Sequence, residues 1–291
     1  MERQRVIDKC EALKRAKFWG SPNKVKVRGW LGNFESNHED VALFILDNFI
    51  FYSKRMCNKM LEEAWNRLKV HVEKKISNYG SSIGSWKDFY KRAVFTRVEG
   101  ENPNPTDSGN LFCRKGRQLF GISEKQIMRP SKAIEESGEN KPLVFLDDFI
   151  GSGSQLKATW KRLYGPNYEG TFSDAYKKRN FKSHFVCLIA TRYSLDRLSS
   201  IPIKIHPSHI IGKNYNIKSK LSDNDSERLD GFLEKHKKKL DYPFYLKENT
   251  KKYGFYELGL TIAFDHSVPD STLPIIWAGG NDSWTTLVER K

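Results

Sequence analysis

The chain has 291 residues, 38% of them hydrophobic and 13% aromatic, with a formal net charge of +15. This length and aromatic content exclude a disordered chain and allow one elaborated domain or a domain with appended helices. No apolar run approaches the roughly 18 residues of a membrane span, and the charged start Met1-Glu-Arg-Gln-Arg lacks the apolar core of a secretory signal. No membrane partner is expected, and the expected location is cytoplasmic.

The four cysteines, Cys10, Cys57, Cys113 and Cys187, lie far apart and form no C-x-x-C spacing. They point to free thiols in a reducing compartment rather than to a zinc site or a disulfide scaffold. The excess of positive charge suits a polyanionic partner: nucleic acid, nucleotides or an acidic protein.

Residues 1–16 read as a charged, helix-prone arm. Residues 1–30 carry nine basic side chains against three acidic ones, with Trp19 and Trp30 interleaved. Basic residues with aromatics bind single-stranded nucleic acid by pairing and stacking. The plainer alternative is that both tryptophans anchor the arm to a core. Residues 37–76 read as strongly helical, through Val41, Phe44, Ile45, Phe49 and Tyr52 and then Met56, Met60, Ala64 and Leu68. A break near Tyr52-Ser53 makes two helices of the span. The Gly/Ser-rich run 77–86 marks a boundary between a helical N-terminal extension, 1–80, and an α/β domain, 81–291.

A short strand is expected over 93–98, then a polar loop over 99–109. Residues 111–120 bring Arg114, Lys115 and Arg117. Residues 123–137 look helical around Met128, with Pro130 expected to interrupt or end the helix. Residues 165–182, rich in Gly, Tyr and Lys, read as a surface excursion. The run 183–191 reads as a buried strand, 195–198 as a helix, and 201–205 as a short strand stopping before Pro207. His206 and His209 lie close in sequence but show no third ligand, so a metal site there is not expected. Residues 224–239 read as a helix ending in K-H-K-K-K, and 258–264 as a late strand.

The most informative stretch is 141–155, K-P-L-V-F-L-D-D-F-I-G-S-G-S-Q. Residues 143–146 form an apolar run suited to a buried strand. Asp147 and Asp148 follow, then the loop Gly151-Ser152-Gly153-Ser154, then a helix over 155–163. Glycines allow a tight turn and close approach of a ligand to the backbone. Loop amides leading into a helix N-terminus favour an anion. The serine hydroxyls add hydrogen bonds. Ionised, Asp147 and Asp148 accept only, which suits a ribose diol or a hydrated Mg²⁺. The plainer alternative is a βα turn whose acids are merely solvated.

L-D-D-F-I-G-S-G-S resembles the signature loop of type I phosphoribosyltransferases, which use phosphoribosyl pyrophosphate (PRPP). The resemblance implies that Asp147 and Asp148 take the ribose and that Gly151, Ser152, Gly153 and Ser154 take the 5′-phosphate. By position in that family, the loop after the 93–98 strand binds pyrophosphate, with Arg97 supplying charge and Ser108-Gly109 supplying amides; the plainer alternative is a surface loop. Purine-salvage members carry an acidic residue three positions after the second acid; here it is Gly151. That departure argues against ordinary purine salvage.

Trp30-Leu-Gly-Asn-Phe34, and the ending with Thr272-Leu-Pro-Ile-Ile-Trp277 and W-x-x-L-x-x-R at Trp284, Leu287 and Arg290, resemble a phosphoribosyltransferase-like family of bacterial conflict cassettes. This resemblance implies an antiphage setting. It includes retrons, in which an effector is held by a reverse transcriptase and its RNA–DNA product. The expected fold is α/β: a central, mostly parallel sheet flanked by helices, with a helical N-terminal extension and a C-terminal cap. Two functions are expected to compete. One is an enzyme acting at ribose C1 with Mg²⁺; the other is a non-catalytic module that senses a nucleotide or binds nucleic acid or a partner. No general base stands out, His266 being a candidate by position only.

Overall fold

The computed structural model describes residues 2–20, 23–74, 82–100, 108–164, 170–241, 250–280 and 283–290, without the side chains of 82–85, 250 and 251. Two compact units share the chain: Met1–Asn58 with Gly212–Lys291, and Lys59–Ile211. The expected division at residue 80 does not follow them. The boundary lies within a helix, and residues 212–291 join the N-terminal segment rather than the sheet domain.

In the first unit, α1 (Glu2–Arg15) buries Val6 and Cys10. Trp19 and Trp30 are both core residues, with Trp19 edge-on to Phe49, so the tryptophans anchor the segment and are not exposed for stacking. Six of the nine cations in residues 1–30 are also engaged. Arg3 pairs with Glu39, Arg5 and Lys9 with Asp47, Lys14 with Glu11, Lys24 with Asp265 and Lys26 with Glu289. Helix α2 (Val27–Leu31) is followed by α3 (Glu39–Asp47), whose Glu39 and Asp40 oppose the positive end of the helix dipole. The expected break in the helical span contains a strand, β1 (Ile50–Tyr52), before α4 (Lys54–Lys74). β1 pairs in parallel with Ile262–Phe264, so the late strand lies outside the central sheet.

In the second unit, α5 (Ser82–Arg92) occupies part of the run expected to be a break; the rest, 75–81, lies outside the described residues. β2 (Val94–Arg97) leads to 98–100, and 101–107 of the expected polar loop also lies outside the described residues. Ser108 and Gly109, expected in that loop, begin α6 (Ser108–Phe120) instead. Pro130 starts α7 (Pro130–Glu136) rather than ending a helix. At the first helical position its missing N–H costs nothing, and it favours the extended conformation seen at Arg129.

β3 (Leu143–Leu146), β4 (Phe149–Ile150), β5 (Ser183–Thr191) and β6 (Lys204–Ile211) complete a parallel sheet of five strands with β2. β3 and β4 both pair with the same edge of β5, and β6 takes the other edge. Every residue of β5 is buried, which explains its apolar run from Phe185 to Ala190. β6 runs through Pro207 instead of stopping before it. Among the described strands it pairs only with β5, so the missing N–H of Pro207 breaks no second ladder.

Helix α8 (Ser154–Lys161) follows the small-residue loop, and α9 (Phe172–Arg179) lies in the stretch expected to be a surface excursion. Phe172 and Phe181 are core residues, Trp160 stacks on Phe172 at 6.0 Å, and a Thr171–Asp174 capping box starts the helix. Residues 165–169 lie outside the described residues. Helix α10 (Arg192–Arg197) follows β5, and α11 (Asp223–Lys237) belongs to the first unit. The architecture is α/β with a central parallel sheet flanked by helices. Among the described residues no helix is long and apolar enough to cross a membrane.

Candidate functional site

Register places the acids. Leu143 to Leu146 pair with Ser183 to Val186, and Phe149 and Ile150 resume the same register on Ile189 and Ala190. β3 and β4 are thus one strand interrupted at Asp147-Asp148. The backbone stays tied there: Asp147 N–H donates to Val186 O at 3.2 Å. The Asp148 carbonyl accepts from Leu188 N–H at 2.9 Å and from Ile189 N–H at 3.2 Å. Pairing with β2 ends one residue earlier, at Arg97–Leu146. The acids therefore lie within a fixed strand, where the neighbouring β2 stops.

Both carboxylates are buried, Asp147 to 4% exposure and Asp148 to 8%. Asp147 Oδ1 accepts the Ser108 hydroxyl at 2.6 Å and the Asp148 N–H at 3.0 Å. Burial, followed by the charge of Asp148, holds the Asp147 carboxyl well above the ordinary range, against the opposing pull of Ser108. The pair is therefore not simply acceptor-only. Without a cation, Asp147 retains its proton to higher pH than a solvated aspartate. Burial also raises the thiols of Cys113, to about 12, and Cys187. Burial of this kind disfavours the reactive thiolate at both cysteines.

Helix α6 approaches β2 closely. A Cβ on Gly109 would sit 2.7 Å from Arg97 Cβ and 3.0 Å from Val98 O. Glycine there lets the first turn of α6 lie against the end of β2. Arg97 itself is held by Glu99, with Nη2 2.7 Å from Oε1, and Glu99 also faces Arg162 at 3.8 Å. Thr159 of α8 bonds both the N–H and the carbonyl of Glu99. The Arg162 guanidinium donates to Gly100 O at 2.5 Å. This fastening of 98–100 to α8 had no sequence signal, because its partners are some sixty residues apart.

In the loop, Gly153 takes the left-handed conformation with φ 78°, and a Cβ there would meet Leu198 at 2.9 Å. Gly151 is not left-handed, so the turn is made at Gly153. Ser152 Oγ accepts the Ser154 N–H at 3.2 Å, and the two hydroxyls lie 3.1 Å apart. Behind the loop, Thr191 Oγ1 donates to Gly151 O at 2.6 Å and Arg197 to Ser152 O at 3.0 Å. Ser194 Oγ is 3.1 Å from Ile150 O and 2.8 Å from Thr191 O. Sequence reasoning missed Thr191, Ser194 and Arg197; the T-x-x-S-x-x-R spacing after the buried strand is the signal that could have found them.

Direct contacts join Ser108 to Asp147 and Gly109 to Arg97, and the loop residues follow Asp148 along the chain. His206 packs against His184, Nε2 to Nδ1 3.1 Å, with the His71 ring 5.1 Å away. Among the described residues, no group of three or more His, Cys, Asp or Glu forms a metal cage. Two adjacent carboxylates still fit a Mg²⁺ that takes its remaining ligands from water and from a ligand's phosphates.

The model of one protein family, PRTase-CE, matches residues 27–290. No curated protein and no solved structure matches the chain.

Proposed function

The chain belongs to the PRTase-CE family, a phosphoribosyltransferase-like family, and from that premise we propose that it binds PRPP or a related ribosyl phosphate and acts at ribose C1. The observation that carries this reading is the buried Asp147-Asp148 pair in fixed register, running directly into the Gly151–Ser154 turn at the start of α8. Asp147 and Asp148 orient the ribose hydroxyls, and the loop amides with Ser152 and Ser154 take the 5′-phosphate. The Ser108 hydroxyl is committed to Asp147, so the contribution of Ser108-Gly109 to pyrophosphate is through backbone amides. Arg97 adds positive charge on that side.

In the transfer, the C1–O bond to pyrophosphate breaks and its electron pair leaves with pyrophosphate. A lone pair of the acceptor then forms the new bond to C1. The chain's residues lower that barrier by holding both partners in line and by meeting the developing negative charge with fixed donors. Mg²⁺ held by Asp147 and Asp148 would neutralise pyrophosphate charge.

The proposed setting is a bacterial antiphage cassette, including those of retrons, with a reverse transcriptase and its RNA–DNA product as partner. The resemblance at Trp30–Phe34 and 272–290 and the +15 charge support it. Four free, buried cysteines suit a cytoplasmic location. A second reading, a nucleotide-sensing subunit without turnover, is favoured by Gly151, which stands where purine-salvage relatives carry an acid.

The test is thermal melting with PRPP and Mg²⁺. Ligand at about 100 times its Kd adds about 2.7 kcal/mol, which raises the midpoint by about 5 °C. The shift is expected in wild type and absent from folded Asp147→Asn/Asp148→Asn protein. An equal shift in both would remove the acids from the site. Pyrophosphate release from PRPP then separates enzyme from sensor.

A further inference from the structure

We infer that Thr191 and Arg197 are positioning residues that pre-form the phosphate loop by taking its carbonyls from behind. The inference rests on the ribosyl-phosphate reading of the site. A trans peptide is planar, so its carbonyl and the following N–H point in opposite directions. Thr191 holds the carbonyl of Gly151 and Arg197 holds that of Ser152. The N–H groups of Ser152 and Gly153 are thereby turned away from α10. Among the described residues, neither amide has an acceptor.

The contacts share one side of α10. Thr191 is its N-cap, accepting the Ser194 N–H at 3.0 Å, and Ser194 and Arg197 follow at three-residue steps. Ser194 has a single hydroxyl proton and two carbonyls in reach, so it supports the arrangement less firmly. Leu198 fills the space where a Cβ on Gly153 would stand. Thr191 and Ser194 are fully buried, which shields their bonds from competition with water. Two amides fixed side by side, next to the hydroxyls of Ser152 and Ser154, present donors without reorganisation when a phosphate arrives.

The test titrates ribose 5-phosphate calorimetrically into the full chain and into Thr191→Val, Arg197→Met and Thr191→Ser, with folding checked by melting. Thr191→Val and Arg197→Met are expected to weaken binding about tenfold, and Thr191→Ser, which restores the hydroxyl, to bind within about threefold of wild type. A merely structural role would lower melting without the second signature. On addition of ribose 5-phosphate, the amide resonances of Ser152 and Gly153 should shift in wild type and shift far less in Thr191→Val. Folded variants that bind as wild type does, with the same amide shifts, would overturn the positioning role and leave the site intact. Wild type that binds no ribose 5-phosphate would overturn the site reading and the inference with it. If Thr191→Val does not fold, Arg197→Met decides the question by the same two readouts.

Discussion

Burial can silence a titratable residue, and His206 is the case in this chain. Desolvation, then the charges of His71 and Lys204, push its pKa down to about 3. Its Nε2 lies 3.1 Å from His184 Nδ1, and a hydrogen bond between them needs one of these nitrogens unprotonated. The unfolded chain takes up this proton near pH 6.5, whereas the folded chain resists it until about pH 3. Between those values the unfolded state binds more protons, so stability falls as pH drops, by at most about 1.4 kcal/mol per pH unit. Urea unfolding at pH 7 and pH 5 measures the slope. His206→Gln, neutral throughout, is expected to flatten it; an unchanged slope would assign the acid sensitivity to other groups. Sequence spacing made His206 and His209 the natural pair. The structure pairs His206 with His184 because β5 and β6 are adjacent, a relation that sequence distance hides. Asp147 to Ser154 was legible because strand, acids, loop and helix are contiguous. The Ser108–Asp147 bond was not, since its partners are 39 residues apart.

Elements were read well where periodicity and length agreed. β5 and α11 stand close to their expected places, since one holds the apolar run Phe185 to Ala190 and the other is a capped, charged helix. β1 was hidden inside a helical pattern because three apolar residues satisfy either period, and its partner Ile262–Phe264 lies far along the chain. α9 was missed because it is short and lies in a stretch, 165–182, rich in Gly, Tyr and Lys, although Thr171 and Asp174 cap it and Phe172 anchors it. The interior of α11 offers a test of pure helix propensity. Gly231 lies mid-helix, its φ is not left-handed, and an added Cβ would meet nothing within 4 Å. Gly231→Ala should therefore stabilise the protein by about 0.5–1 kcal/mol, read as a higher denaturation midpoint with unchanged m-value. A loss of stability would show that the glycine serves something other than the helix.

At the scale of the molecule, the segments carrying the family resemblance divide between two jobs. Asp147 to Ser154 builds the candidate site, while the N-terminal Trp30–Phe34 and the C-terminal ending close the core of the other unit. Trp30 Nε1 donates to Ile275 O at 2.8 Å, and Leu287, a core residue, accepts the Lys26 N–H. Arg290 pairs with Asp270 and lies over the Trp277 ring at 4.8 Å. Asn33 acts as a backbone surrogate: its side-chain amide donates to Thr285 O at 2.7 Å while its oxygen accepts the Thr285 N–H at 3.0 Å. Gly29 gives Thr285 room, since a Cβ there would lie 2.8 Å from its methyl. Asn33→Ala deletes both bonds and strands two part-buried backbone groups, at an expected cost of about 1–3 kcal/mol. Asn33→Asp keeps the acceptor and loses the donor, so it should fall between Ala and wild type at neutral pH. Equilibrium unfolding of the three proteins checks the order. If Asn33→Ala matched wild type, the closure of the chain's ends would rest on Trp30, Leu287 and their apolar neighbours alone, with the polar clasp contributing register rather than stability.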